Sequence, residues 1–280
     1  MTARANLNFL VTNRIPRRLA TLLMGRLSRI EHPWFVAAGL GLWKLFFGLD
    51  LTDARKTRFR SLHDCFTRQL AEGARPIDPG SSHLSSPCDA ILGAAGTVTG
   101  GTVLQAKGFP YPLADLLGDE QLASYYDAGQ YATLRLTAGM YHRFHAPCEC
   151  LVQQVTYVSG ETWNVNPVAL ERIKQLFCKN ERAIIRCRLR PSGHVITLVP
   201  VAAVLVASIR LHFADVLLHL RYRGPHVISC DAALAKGEEM GWFEHGSTII
   251  VFAPRGVSLR ADLRTGDRIR MGEALMRIDA

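Results

Sequence analysis

Gly246-Ser247-Thr248 stands at the head of the apolar run Ile249-Ile250-Val251-Phe252 and joins an unhindered backbone step to a hydroxyl. Far upstream, Tyr141-His142-Arg143-Phe144-His145 and Ser86-Pro87-Cys88-Asp89-Ala90 supply a histidine base and a carboxylate to orient it. Members of a triad need not be close in sequence, and the order Asp…His…Ser is one of several that unrelated folds use. A serine after glycine has a second chemistry open to it. Once a base removes its proton, the hydroxyl can attack the carbonyl of its own peptide bond. The resulting ester can eliminate and leave a pyruvoyl group at a new N-terminus. Gly246 has no side chain to hinder the attack or a strained backbone. Taken alone, Gly-Ser-Thr reads more readily as a turn before a buried strand, because Gly and Ser favour turns. A lone histidine such as His142 or His145 is likewise more often a structural hydrogen-bonder, and Asp89 a turn residue after its proline. A zinc site built from His142, His145 and Cys148 is a further alternative, although no C-x-x-C pair accompanies it.

These groups need a scaffold, and the pattern supplies one that is mainly strand and turn. Phe59, Leu62, Phe66 and Leu70 recur at helical spacing until Gly73-Ala74-Arg75-Pro76-Ile77-Asp78-Pro79-Gly80 stops the helix. Residues 130–136 and 151–158 alternate faces as half-buried strands do. Residues 167–178 read as a short helix, and 183–189 and 194–209 as long strands. Pro200 is expected at a bend or an edge of its strand. The tail from Gly266 to Ile278 pairs glycines with short strands, in the manner of a barrel-sandwich. The fold class expected is therefore α+β: helices in front, then a β-rich, barrel-sandwich-like core with a few short helices.

The chain of 280 residues can bury a sizeable core, and its 48% hydrophobic content excludes a disordered protein. With 33 Lys+Arg against 24 Asp+Glu the net charge is +9, which calls for an anionic partner. The distribution narrows the choice. Residues 1–30 hold Arg4, Arg14, Arg17, Arg18, Arg26 and Arg29 and no acid. From Ile15 to Ile30 the arginines interleave with leucines, a basic amphipathic pattern suited to a membrane interface. The following stretch Pro33–Leu49 is 17 residues long with Lys44 inside it, at the short limit of the roughly 20 residues a spanning helix needs. Residues 1–60 are thus read as a monotopic anchor on an anionic membrane surface, and residues 61–280 as the catalytic core. A spanning helix and an ordinary helical layer packed on the core are the alternatives. Nucleic acid is not expected as a partner. Seven cysteines, an odd number, suit a reducing compartment, and no secretory signal is expected.

Several segments standing in one order resemble phosphatidylserine decarboxylase of the bacterial, pyruvoyl-dependent type. They are Arg75-Pro76-Ile77-Asp78, Ser86-Pro87-Cys88-Asp89, Tyr141-His142-Arg143-Phe144-His145, Asn164-Val165-Asn166-Pro167, Asn180-Glu181-Arg182, and Gly237-Glu238-Glu239-Met240-Gly241-Trp242-Phe243 leading into Gly246-Ser247-Thr248. The resemblance implies a carboxy-lyase that converts phosphatidylserine to phosphatidylethanolamine and carbon dioxide. It implies self-cleavage between Gly246 and Ser247 by Asp89, His145 and Ser247, giving a β chain 1–246 and an α chain 247–280. The two chains would stay together as a heterodimer that could dimerise further. Ser247 would become the covalent pyruvoyl cofactor, His142 would assist decarboxylation, and no metal is implied. The implied location is the cytoplasmic face of the inner membrane. Two positions depart from the family pattern: Cys88-Asp89-Ala90 replaces Ala-Asp-Gly, and His245 replaces a leucine, setting a second base beside the scissile bond. The same scaffold acting on a free amino acid or another serine-headed lipid, a non-processing membrane scaffold, and a serine hydrolase are the competing readings. The last lacks a G-x-S-x-G elbow.

Overall fold

The computed structural model describes residues 16–105, 109–190, 192–205, 208–244 and 247–279. Arg4, Arg14, Ile15, His245 and Gly246, singled out above, lie outside the described residues. Seven described helices are α1 (Arg17–Leu27), α2 (Pro33–Phe47), α3 (Leu62–Phe66), α4 (Leu113–Leu117), α5 (Glu120–Tyr125), α6 (Pro167–Leu170) and α7 (Leu176–Lys179). The strands begin with β1 (His83–Ser85), β2 (Ala90–Thr97), β3 (Thr102–Leu104), β4 (Pro110–Pro112), β5 (Gln130–Leu136) and β6 (Arg143–His145). They continue with β7 (Cys150–Val158), β8 (Arg182–Leu189), β9 (Val195–Ala202), β10 (Ser208–Leu211), β11 (Val216–His219) and β12 (Val227–Leu234). The last are β13 (Glu239–Phe243), β14 (Ser247–Ala253), β15 (Val257–Leu259), β16 (Arg268–Ile269) and β17 (Ala274–Ile278).

The fold is α+β with a β-rich core. An eight-stranded sheet runs β12-β7-β8-β9-β14-β5-β2-β16, flanked by a four-stranded sheet β11-β10-β13-β6 and a three-stranded sheet β1-β17-β15. The large sheet is open, since β12 and β16 are its two ends and do not pair with each other. The expected barrel-sandwich is corrected accordingly: the described strands form no closed barrel.

β14 lies at the middle of the large sheet and is buried at every position. Two apolar layers explain this. Ile249 and Val251 pack into one layer with Leu134, Leu198, Ile185 and Phe144. Ile250 and Phe252 pack into the other with Val199, Ile184 and the helical residues Leu113, Leu116 and Phe177. A strand covered on both faces reads as a continuous apolar run, as 249–252 does. Pro200 is not at an edge. It sits within β9, paired with Ile249 of β14. The β9 ladder to β8 is broken there, between the pairs Arg182–Val201 and Ile185–Leu198. Proline has no N–H to donate, so β9 keeps one regular neighbour at that point rather than two.

The front helices rest on the core through polar contacts. Arg17 pairs with Glu161 and stacks over the Trp163 ring at 3.5 Å. The Leu205 amide donates to Thr21 Oγ1 at 3.0 Å, and the His63 amide donates to the Ser28 carbonyl at 2.8 Å. The helix expected from Phe59 to Leu70 is shorter, Leu62–Phe66, and capped by the Ser61 hydroxyl on the Asp64 amide. None of the described helices is long and apolar enough to cross a membrane.

Candidate active site

Two chain segments that carry the chemistry run side by side. Ser247, the first residue of β14, pairs with Leu136 at the end of β5. Beyond that pair, the Phe243 amide donates to the His142 carbonyl at 3.0 Å, and Glu239 pairs with His145 across β13 and β6. Leu136 and His142 therefore lie against Ser247 and Phe243, and His145 is placed farther along, against Glu239.

Ser247 is fully buried, and its Oγ has no hydrogen-bond partner among the described residues. Leaving a buried hydroxyl unsatisfied costs about 1–3 kcal/mol, so such an atom calls for an explanation. His145 is buried and holds two bonds: Nδ1 to the Gly237 carbonyl at 2.9 Å and Nε2 to the Tyr141 hydroxyl at 2.9 Å. A carbonyl can only accept, so Nδ1 carries the proton and Nε2 presents its lone pair to the Tyr141 O–H. Burial lowers the pKa of His145 and keeps the ring neutral, against smaller opposing contributions from the Gly237 bond, Glu239 and Asp89. Gly237 can offer that carbonyl because it turns at φ +80° just before β13, a conformation that suits glycine.

The Asp89 carboxylate is fixed by Arg75 rather than by a histidine ring. Arg75 Nη2 donates to Oδ2 at 2.6 Å and Nε to Oδ1 at 2.9 Å, while the Met271 amide donates to Oδ1 at 2.9 Å. Arg75 also holds Asp53 at 2.7 Å, and its hydrogen bonds to Asp89 raise its pKa further. Asp89 is thus brought into the neighbourhood of His145, which feels its charge, without bonding to it. His142 is fully buried, bonds through Nδ1 to the Met140 carbonyl at 2.9 Å, and lies tilted against the Phe66 ring with centroids 3.9 Å apart. Phe66 in turn stacks on Trp43 of α2 at 5.6 Å. Both ring nitrogens of His145 are committed to other partners, and the described residues hold no group of three or more His, Cys, Asp or Glu that could hold a metal ion. All seven cysteines are free thiols.

Several functional candidates were not legible as such in the sequence. Arg75, Tyr141 and Gly237 lie in quoted motifs, but nothing in a motif says which atoms they hold. Glu244, three residues before Ser247, accepts from Arg29 at 3.0 Å and bonds His63 Nε2 at 3.0 Å. It also forms part of the wall of a cavity of about 270 Å³ that Arg26, Arg29, His63, His219 and Arg221 share. Ser247 itself does not line that cavity.

With this geometry in view, the comparisons with known proteins are decisive. A sequence model of phosphatidylserine decarboxylase matches residues 62–277. The chain belongs to the phosphatidylserine decarboxylase family. Phosphatidylserine decarboxylase proenzyme of Aliivibrio salmonicida is 32% identical over 272 residues, covering 92% of this chain and 93% of its own length. Proenzymes of the same name from Anaeromyxobacter sp. (strain K), 34% identical over 270 residues, and Vibrio cholerae, 33% over 270, each share 94% of their length with it. The family model begins at α3 and leaves out α1 and α2.

Proposed function

We propose that this protein cleaves itself between Gly246 and Ser247 and then decarboxylates phosphatidylserine to phosphatidylethanolamine at a membrane surface. The observation that carries the proposal is the Ser247 hydroxyl, buried and without a hydrogen-bond partner among the described residues, at the head of the central strand. It stands in a chain whose relatives are named phosphatidylserine decarboxylase proenzymes.

The protein's own groups support each step. Neutral His145, its Nδ1–H held by Gly237, offers Nε2 as a base for the Ser247 proton once Tyr141 releases it. The serine oxygen then bonds to the Gly246 carbonyl carbon, the Gly246–Ser247 C–N bond breaks, and the proton passes to nitrogen. Asp89, fixed by Arg75 and Met271, stabilises a positive His145 through space. Loss of the Ser247 α-proton then expels chain 1–246 as a carboxylate and leaves an enamine at the head of 247–280. Its imine form takes up water and releases ammonia, so that this chain begins with a pyruvoyl group. The fit is good: a strand-fixed, water-free position suits a carbonyl that must not hydrate or wander. When formed, that group supplies an electron sink for the carbanion left by carbon dioxide, the task cofactors take over from protein side chains. His142, buried against Phe66 beside the cleavage turn, is the candidate to return a proton to the substrate carbon.

The cavity beside Glu244 suits a lipid headgroup, since its arginines match phosphate and carboxylate. Most of the large exposed apolar side chains among the described residues fall between residues 19 and 47, including Leu19, Leu23, Trp34, Leu42, Leu45, Phe46 and Phe47, and α1 also supplies part of the cavity wall. With Arg18, Arg26 and Arg29 among them, residues 16–47 are suited to lie in the interface of an anionic membrane, the protein remaining peripheral on the cytoplasmic side.

Intact mass of the purified protein tests the core of the proposal. Two chains with a carbonyl reactive to hydroxylamine are expected for the wild type, and one unbroken chain for Ser247→Ala. A wild type that stays whole when folded would sink it.

A further inference from the structure

Glu181 is fully buried, and it faces the same compartment as Ser247. The register fixes this. The Ala202 amide donates to the Glu181 carbonyl at 2.8 Å, and on its other side Ala202 pairs with Ser247 of β14. Glu181, Ala202 and Ser247 therefore stand in one row across β8, β9 and β14. Directly opposed residues share a face. That face is the layer to which Ala202, Leu136 and Tyr157 belong, and Tyr157 donates its hydroxyl to Glu181 Oε1 at 2.9 Å. Two strand spacings set the Glu181 and Ser247 Cα atoms roughly 10 Å apart. Within that row only Ala202 lies between them. Two buried oxygens on this row have no hydrogen-bond partner among the described residues: Ser247 Oγ and Glu181 Oε2. A small polar molecule between them would satisfy both.

We propose that Glu181 is the residue that takes and returns the proton of the substrate's ammonium group, with Tyr157 as its positioning residue. The inference rests on the reading that Ser247 becomes the reactive centre. The bookkeeping of the step is simple. One N–H bond of the substrate ammonium breaks, its electron pair stays on nitrogen, and an O–H bond forms at Oε2. The proton returns when the product amine leaves as an ammonium. An amine must lose a proton before it can act as a nucleophile, and a buried carboxylate is a suitable local acceptor.

The surroundings tune Glu181 for this exchange. Burial raises its pKa to about 7, against lesser lowering by the Tyr157 bond and by the charge of Arg18 from α1. The other titratable groups packed nearby are Tyr222, whose ring meets Tyr157 edge-on at 5.2 Å, and His226, whose ring is tilted against it at 5.7 Å. On the access side, the Tyr157 hydroxyl oxygen also lies 3.1 Å from the His219 carbonyl, which can share its single proton, and His219 lines the 270 Å³ cavity. The hydroxyl of Tyr157 thus links Glu181 to the wall of the space that would admit a headgroup.

The test uses the full-length protein with phosphatidylserine vesicles. Glu181→Gln keeps the shape and the bond from Tyr157, so intact mass should show two chains while turnover falls by about 100-fold or more. Tyr157→Phe should also process. It removes a contact that lowers the Glu181 pKa, so the rising limb of the pH–rate profile should move to higher pH. In uncut Ser247→Ala, infrared spectra should show a protonated-carboxyl band that titrates near neutrality and is missing from Ser247→Ala/Glu181→Gln. Full turnover in Glu181→Gln, an unmoved profile in Tyr157→Phe, or no such band would each overturn the assignment. Should Glu181→Gln fail to fold, the Tyr157→Phe profile and the infrared band decide. An uncut wild type, by contrast, would strike the underlying reading and leave the infrared result standing.

Discussion

At the scale of single residues, the pair Arg75–Asp89 carries more than its motif suggests. Both side chains are about one-tenth exposed, at 9% and 11%, and a second carboxylate, Asp53, shares the same guanidinium. Removing one partner of a buried pair strands the other charge, at a cost of about 3–5 kcal/mol. Arg75→Ala should therefore lower the unfolding free energy read from urea titration by an amount in that range, and self-cleavage should slow with it. Arg75→Lys should recover part of the stability but not the two-oxygen grip of a planar guanidinium. Equal stability of Arg75→Ala and wild type would show that Asp89 is held by the Met271 amide alone.

At the scale of elements, an aromatic chain links the front helices to the turn that carries His142. Trp43 of α2 stacks on Phe66 of α3, and the Phe66 ring lies tilted against His142. The turn itself packs tightly under α2: a side chain at Gly139 would meet the Phe47 carbonyl at 2.5 Å. Aromatic pairing is worth about 0.5–1.5 kcal/mol beyond area burial. Phe66→Leu should thus cost only about 1–2 kcal/mol in thermal or urea unfolding and still yield two chains by mass, whereas turnover on vesicles should fall clearly. Unchanged turnover would mean that His142 is positioned by its bond to the Met140 carbonyl and needs no help from the stack. The helical spacing of Phe59, Leu62, Phe66 and Leu70 was readable from the chain, but only the folded form shows Phe66 turned onto a histidine.

For the whole molecule, the function proposed above requires the protein to meet its substrate at the bilayer surface. Each CH₂ withdrawn from a membrane costs about 0.8 kcal/mol, so a two-chain lipid stays where it is. Trp34 is 83% and Phe46 69% exposed, and nothing among the described residues covers them. Burying one such side chain is worth about 1.5–3 kcal/mol. Trp34→Ala/Phe46→Ala should therefore weaken flotation with anionic vesicles by at least tenfold, with self-cleavage intact. Added salt should weaken the wild type as well, because the arginines act through screened charge. Binding that ignores both changes would exclude residues 16–47 as the membrane-facing part.

Much of this protein was legible in its order of residues. Strand β5 spans the stretch 130–136 that was readable as a strand, though it is buried on both faces rather than half-buried, the apolar run 249–252 was readable as a buried strand, and the ordered segments from Arg75 to Thr248 carried the family. Those signals are local, and periodicity and motif survive in one dimension. What the tertiary structure alone decided are the pairings between distant segments. Asp89 turned to Arg75 and not to a ring, His145 was fixed in one tautomer by Gly237, and Pro200 entered an interior strand by giving up part of one ladder. Glu181 came into line with Ser247 only because β8, β9 and β14 lie side by side. Strand register and sheet order arise from contacts between segments dozens of residues apart, and no local pattern of residue types encodes which partner each strand will choose.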